Sequence, residues 1–485
     1  MRTFVFRDDR SNKFWNIDLQ GARFSVTFGK VGTKGQTQTK DFADAAKAQQ
    51  AHDKLVAEKL GKGYVETTAG RPQGPAPLQQ LLEEALVENP DDLAAHSAYA
   101  DYLAEQGDPR GELIQVQLAL EDAGRPAEER KQLRKREAEL LKRHGRQWLG
   151  DLGRLLVGKW SGPDKPYHYQ LSRGWLDLVR VLPYPDGIVT AVARSPQLRL
   201  LRRLEVVYDM RYHPFDFDQF LQGPAEALGS EEEEQETYEP AEVLPPLLAS
   251  PYLTNLRVVK VGFSDSGDRI GHSTMVNPFG GCTAQQVIEL LAKCPRLEEL
   301  YLNTELSGIE RLFALPKLGN VRVLQYYYGT SVYTSNAPNN VYPLTALAKN
   351  ASLKRLTTLR LHPGRDATID LDEMAAILRS RHLPGLTHLQ VHMTTFGDEG
   401  CRTIIESGAL RRLKVLNIGY GNMTDEGARL LAACPDLKKL EVLDVTRNAL
   451  TAGGIAALKA TGVQVVADNQ HAPGDEDYLY EVDFE

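Results

Sequence analysis

The sequence predicts a multidomain α/β protein: a small α+β unit, a short helical module, and then a curved α/β solenoid. Three observations carry that expectation. The template L-x-x-L-x-L recurs as Leu297/Leu300/Leu302, Val321/Leu324/Tyr326, Leu356/Leu359/Leu361, Leu386/Leu389/Val391, Leu413/Leu416/Ile418 and Leu440/Leu443/Val445. The first residues alternate apolar and polar side chains, the period of a strand, before the pattern turns helical. Between these regions the chain reads as consecutive amphipathic helices.

Residues 1–66 form the first unit. RTFVF, FWNIDL and ARFSVTFG read as strands, and DFADAAKAQQAHDKLVAEKLGKGY as a helix that stops at a glycine. Residues 67–77 are a Gly/Pro-rich linker. The helical module covers 78–148 and closes with a charged helix from Glu128 to Trp148. Residues 149–252 connect it to the solenoid through short strands around Leu171–Leu182 and Leu204–Val207, irregular first repeats and an acidic insertion, GSEEEEQETYEPAE at 229–242. The solenoid spans 253–470, with Leu256/Val259/Val261 as a looser first copy, and an acidic tail fills 471–485.

From Leu389 to Leu416 to Leu443 the step is 27 residues each time, room for a strand, a turn and a helix. One such unit cannot bury its own apolar face, so neighbours must stack, strands inside and helices outside. Steps stretch to 41 residues between Val259 and Leu300 and to 35 between Leu324 and Leu359. The excess is two loops, SDSGDRIGHSTMVNPFGG and YYYGTSVYTSNAPNNVYP, both leaving directly after an inner strand. The tail GDEDYLYEVDFE alternates aromatic and apolar residues with acids, the pattern of a strand that could cap the last repeat.

The chain has 485 residues, a formal charge of −8 and 25% charged residues, which argues against a protein that coats nucleic acid along its whole length. Absence of an apolar run of membrane-spanning length and of an apolar N-terminal leader excludes a membrane role and points to the cytoplasm. Four cysteines make no disulfide framework; Cys294 and Cys434 occupy the equivalent phrases AKCPRLEEL and AACPDLKKL and read as small buried residues.

Residues 24–65 resemble the WGR domain of poly(ADP-ribose) polymerases and bacterial regulators. The resemblance rests on Gly29, Gly32, Gly35, Gln36, Phe42, the following helix and Lys62-Gly63-Tyr64. It implies a small sheet-plus-helix module in which the name-giving tripeptide, here Phe28-Gly29-Lys30, engages nucleic acid. Phe keeps an aromatic plane, whereas Lys lacks the bidentate fork of Arg. Residues 78–121, with NPDD and YADYLAEQGDPRGELIQ, look like the helical module that accompanies repeats in large bacterial proteins. From 253 onward the chain resembles leucine-rich-repeat proteins of the ribonuclease-inhibitor kind, which implies protein binding.

Catalytic signatures are missing: no H-E-x-x-H, no G-x-S-x-G and no EF-hand loop occurs. GKVGTKGQT lacks a Lys directly after the second Gly of a phosphate loop and reads as a β-turn. The expectation is therefore a non-enzymatic adaptor without cofactor or metal. Side chains flanking the last apolar position of each template point away from the core. They form one column of Lys260, Tyr301, Gln325, Arg360, Gln390, Asn417 and Asp444, and a second of Gly262, Asn303, Tyr327, His362, His392, Gly419 and Thr446. Expected protein-partner contacts are Tyr301, Asn303, Gln325, Tyr327, Arg360, His362, Gln390 and His392, joined by Tyr328 and Tyr333 of the tyrosine-rich loop. The alternative is a nucleic-acid-linked regulator. Residues 1–70 hold twelve Lys/Arg against eight Asp/Glu, and Phe28, Lys30, Lys34 and Lys40 would cluster at a strand turn. The mixed-sign helix EERKQLRKREAELLKRHGRQW is expected to be laced by i,i+4 salt bridges.

Overall fold

The computed structural model describes residues 2–8, 11–30, 33, 35–62, 64–66, 78–157, 167–182, 187–208, 244–263, 282–303, 306–327, 340–363, 367–392 and 395–472. The chain divides into two compact units, 1–81 and 82–485. The acidic insertion, both long loops apart from their anchoring ends, and the C-terminal tail from 473 lie outside the described residues.

In the first unit, β1 (Arg2–Asp8), β2 (Ser11–Gln20), β3 (Arg23–Lys30), β4 (Gln36–Asp41) and β5 (Val65–Glu66) form an antiparallel sheet in the order β4-β3-β2-β1-β5. Helix α1 (Ala45–Gly61) covers one face. Phe4, Trp15, Ile17, Phe24 and Val26 project to that face by strand alternation and bury against Val56. Each such side chain contributes about 1.5–3 kcal/mol. Gly35, at φ +68°, closes the β3–β4 turn: a Cβ there would stand 2.5 Å from the Phe14 ring and 2.9 Å from the Phe28 carbonyl. The glycine-rich segment is therefore a turn, as its spacing predicts.

The helical module comprises α2 (Leu78–Glu88), whose first turn falls before the unit boundary, and, within the second unit, α3 (Leu93–Glu105), α4 (Pro109–Glu121) and α5 (Ala127–Trp148). Asp92 caps α3 by accepting from the Ala94 and Ala95 amides, and Asp108 caps α4 from the Arg110 amide with Pro109 beside it. These caps explain the phrases NPDD and GDP. The helices do not stand apart from the solenoid. Leu86, Tyr99, Leu103 and Ile114 share a core with Trp175 and Leu200, and the Tyr99 and Trp175 rings stack at 5.5 Å. Gln117 donates to the Leu171 carbonyl at 2.8 Å and accepts from the Gly174 amide at 2.7 Å.

The solenoid strands are β6 (His168–Ser172), β7 (Trp175–Val181), β8 (Arg203–Tyr208), β9 (Val258–Phe263), β10 (Cys282–Thr283), β11 (Glu299–Asn303), β12 (Leu306–Ser307), β13 (Val323–Tyr327), β14 (Asn340–Val341), β15 (Thr358–His362), β16 (Ala367–Thr368), β17 (His388–Val391), β18 (Val415–Asn417), β19 (Val442–Asp444) and β20 (Gln464–Val466). Eleven of them make one sheet in the order β20-β19-β18-β17-β15-β13-β11-β9-β8-β7-β6. Every pairing is parallel except the β6–β7 hairpin at its end. The sheet thus begins near His168 rather than at 253. Two template copies mark that earlier start, Leu176/Val179/Val181 and Leu201/Leu204/Val206, and all six side chains are buried. The 55 residues from Leu204 to Val259 break the period and mask them.

Helices on one side of the sheet complete the repeats, among them Gly397–Ser407, Asp425–Ala433 and Ala452–Lys459. These last helices are tied together at their starts. Asp398 accepts from the Thr424 amide (2.9 Å), the Thr424 hydroxyl (2.7 Å) and the Gly427 amide (2.9 Å). One repeat later Asp425 accepts from the Thr451 amide (2.9 Å) and hydroxyl (2.6 Å). A Cβ on Gly427 or Gly454 would collide with these carboxylates, so glycine is what lets each carboxylate approach.

Candidate partner-binding face

The face of the sheet opposite the helices carries the two predicted columns, and the pairing register confirms their alignment. Lys260, Tyr301, Gln325, Arg360, Gln390, Asn417 and Asp444 are successive cross-strand partners, as are Gly262, Asn303, Tyr327 and His362. His392 follows through its amide, which donates to the Leu361 carbonyl. The first column also extends backwards to Glu205 and Arg180. Glu205 is buried beside Lys260 and held by Arg180 and Arg203, each at 2.5 Å. Burial alone would raise the pKa of its carboxyl, but the two guanidiniums outweigh it and hold it below the ordinary glutamate range.

Polar side chains on this face are wired to each other along the sheet. Gln325 donates to Asn303 (2.9 Å) and accepts from Arg360 (3.4 Å). Gln390 donates to the Tyr327 hydroxyl at 2.7 Å and to His392 Nδ1 at 3.4 Å. His392 Nε2 donates to Asn417 Oδ1 at 3.0 Å, and Asn417 in turn donates to Asp444 at 3.0 Å. With Nδ1 accepting and Nε2 donating, the ring is the neutral tautomer. Burial, reinforced by Arg360, pushes its pKa down to about 4 against the opposing pull of Asn417. Both ring nitrogens are therefore engaged and neither is open to a metal ion. Among the described residues no three His, Cys, Asp or Glu side chains gather as a metal site.

The rings of this face form a continuous row, with His362 and His392 buried in the floor and Tyr327 and Tyr420 half-buried beside them. Centroids are 5.3 Å apart for Tyr327–His362, 5.8 Å for His362–His392 and 4.9 Å for His392–Tyr420, and Arg447 stands 5.8 Å over Tyr420. Tyr420 and Arg447 occupy the left-handed region at φ 56° and 50°, a conformation costing a side-chain-bearing residue about 1–2 kcal/mol. Neither was singled out from the sequence; the signal was their equivalent place, 27 residues apart.

The predicted contacts separate into two groups. Tyr301, Tyr327, Arg360 and Gln390 are half-buried, with part of each side chain at the surface. Asn303, Gln325, His362 and His392 are at most 8% exposed and belong to the floor. The Tyr301 hydroxyl donates to Glu299 at 2.8 Å, and burial followed by that bond pushes the phenol up to about 12. Tyr328 and Tyr333 lie outside the described residues. Tyr326 and Tyr342, which flank their loop, are buried with rings 5.1 Å apart. Cys294 and Cys401 are buried free thiols, pushed up to about 12 by burial.

On the first unit the expected basic cluster is rearranged. Lys30 pairs with Lys13 across β2–β3, whereas Lys40 pairs with Phe24 at the opposite end of β3. Six residues of strand, about 20 Å, separate the two positions. Strand register overrides nearness in sequence, so Lys13, not Lys40, is the cationic neighbour of Lys30. Lys34 lies outside the described residues. Phe28 is half-buried against the core, opposite Trp15.

The fold agrees with known families. Residues 1–71 match the WGR domain, and residues 410–432 and 436–459 match a leucine-rich repeat. The chain carries an N-terminal WGR domain and leucine-rich repeats within a multidomain α/β architecture. Protein YehF of Escherichia coli strain K12 is 53% identical over 66 residues, 14% of this chain and 24% of YehF. The uncharacterized protein YfeS of the same strain is 43% identical over 65 residues, 13% of this chain and 27% of its own. The matches thus span about a quarter of the length of these curated relatives. A solved Bacteroides fragilis protein aligns over 97% of both chains at 17% identity with a TM-score of 0.39, too low to carry an argument about fold. Among the described residues no helix is long and apolar enough to cross a membrane.

Proposed function

We propose that this protein is a non-enzymatic scaffold that holds a protein partner on the helix-free face of its repeats. The observation that carries this reading is the row Tyr327–His362–His392–Tyr420–Arg447, whose two histidines are set into a hydrogen-bonded floor and whose half-buried Tyr327, Tyr420 and Arg447 reach the surface. Aromatic and arginine side chains dominate binding energy when held rigidly in a partly desolvated setting. Here the floor fixes them before any partner arrives, which lowers the entropy lost on binding. Affinity capture with the tagged chain tests the proposal. The combined change Tyr301→Ala, Tyr327→Ala and Arg360→Ala is expected to abolish capture of the main partner while the fold persists. Undiminished capture by that variant would rule the face out.

A second reading gives the WGR domain a nucleic-acid contact. It is favoured by Lys13 and Lys30, two exposed like charges directly opposite each other with no acidic partner among the described residues. Facing cations repel, and a phosphate between them would relieve that. Lys13→Glu with Lys30→Glu should then weaken binding of a nicked duplex about tenfold or more at 50 mM salt and flatten its salt dependence. Equal affinity of variant and parent would discard this reading.

A further inference from the structure

We propose that the exposed stripe of α5 is a phosphodiester-binding surface, a nucleic-acid site separate from the WGR domain. Its sequence suggests a helix laced by its own salt bridges, and the structure shows that its acids engage Lys131 and Arg136 of the helix and partners outside it, none of them the other cations of the helix. Glu129 pairs with Arg125 in the turn before the helix, Glu128 sits 4.0 Å from Lys131, Glu137 takes the Gln117 amide, and Glu139 shares Arg136 with Glu112 of α4. All four acids of α5 are thus accounted for. Arg134, Lys135, Lys142, Arg143 and Arg146 are exposed and have no acidic partner among the described residues.

Helical spacing places Lys135, Lys142, Arg143 and Arg146 within an arc of about 100° on the side of α5 turned away from its packing face, where Leu140 and Trp148 are buried, with Arg134 beyond the edge of that arc. From Arg134 to Arg146 the row is about 18 Å long at 1.5 Å per residue. Measured along the axis of a duplex, at roughly 3.4 Å of rise per phosphate of each strand, that length spans about five phosphates of one strand. Five uncompensated charges in a chain of net charge −8 repel each other and gain most from a polyanion. A lipid surface fits less well. Interfacial helices insert apolar side chains beside their basic ones, and here Leu140 and Trp148 are turned into the core while Leu133 and Leu141 are half-buried.

The test is fluorescence anisotropy of the full chain with a labelled 20-base-pair duplex and a 20-nucleotide single strand. If all five cations meet phosphates, duplex affinity falls about 500-fold between 50 and 200 mM salt. Combining Arg134→Gln, Lys135→Gln, Lys142→Gln, Arg143→Gln and Arg146→Gln keeps strong helix formers and should abolish both the binding and its salt dependence. If that variant does not fold, Lys142→Gln with Arg143→Gln should still reduce the logarithmic salt slope by about 2. The pair Lys13→Glu and Lys30→Glu should leave this component intact, which separates failure here from failure of the WGR reading. Absence of binding by the parent at 50 mM salt overturns the proposal, as does binding unaffected by either glutamine variant. Tighter binding to phosphatidylserine vesicles or to a 20-residue polyglutamate than to either nucleic acid overturns it too.

Discussion

Leu416→Ala is expected to lower the unfolding free energy of the repeat unit by about 2–5 kcal/mol. Leu416 is fully buried and stacks in register between Leu389 and Leu443, so truncation opens a void inside a column of leucines. The loss has two parts: the transfer energy of the missing methyl groups, and the cavity that flanking strands cannot collapse to fill. Those strands are fixed on both sides by ladder hydrogen bonds, which places the cost towards the upper end of the range. Urea denaturation of the full chain measures it. A loss below about 1 kcal/mol would mean that the column relaxes and that the repeats are not packed as described. Tyr301→Ala, at a half-buried position on the open face, should cost less in the same assay.

A second large effect follows from His392. Its folded pKa of about 4 lies below the ordinary 6.5, so below pH 6.5 the unfolded chain binds a proton that the folded chain refuses. The contribution is present in full above pH 6.5 and is lost as pH falls from 6.5 towards 4, reaching about 3 kcal/mol. His392→Gln keeps a donor for Asn417 and removes the titration. Unfolding free energies at pH 7.0, 5.5 and 4.5 should therefore converge between parent and variant, or cross, as acid is added. Carboxylates elsewhere affect both proteins alike and cancel in the difference. Parallel profiles would show that His392 carries no such linkage.

The strand ladder was legible because its signal is local and repeated. A leucine every third and second residue places Gln390 beside Arg360 and Asn417 without any knowledge of the fold. Burial on the open face was not legible. Polar columns read as solvated in sequence, yet Gln325 is 1% exposed, since Asn303, Gln325 and Arg360 satisfy one another across strands. The attachment of the helical module was hidden for a related reason. Trp175 and Leu200 look like ordinary strand and turn residues until Tyr99 and Ile114, some 60 to 100 residues earlier, are brought against them. The Lys30–Lys40 cluster failed because turns bring together the residues nearest the bend, and Lys40 lies at the far end of its strand.

The carboxylates of Asp398 and Asp425 give the outer helices a grammar. Asp398 closes the opening turn of the helix that follows its own, and Asp425, in the helix so opened, closes the next. Donor and acceptor are separated by 26 residues in both cases, and the motif itself advances by 27. The repeat between these two junctions can therefore be duplicated or deleted with both still reading correctly. A break placed inside a repeat, between the aspartate and its threonine, instead orphans one carboxylate and two amides at once. Such an array is extensible only in whole words, and its length can drift in evolution by units that leave both neighbours satisfied.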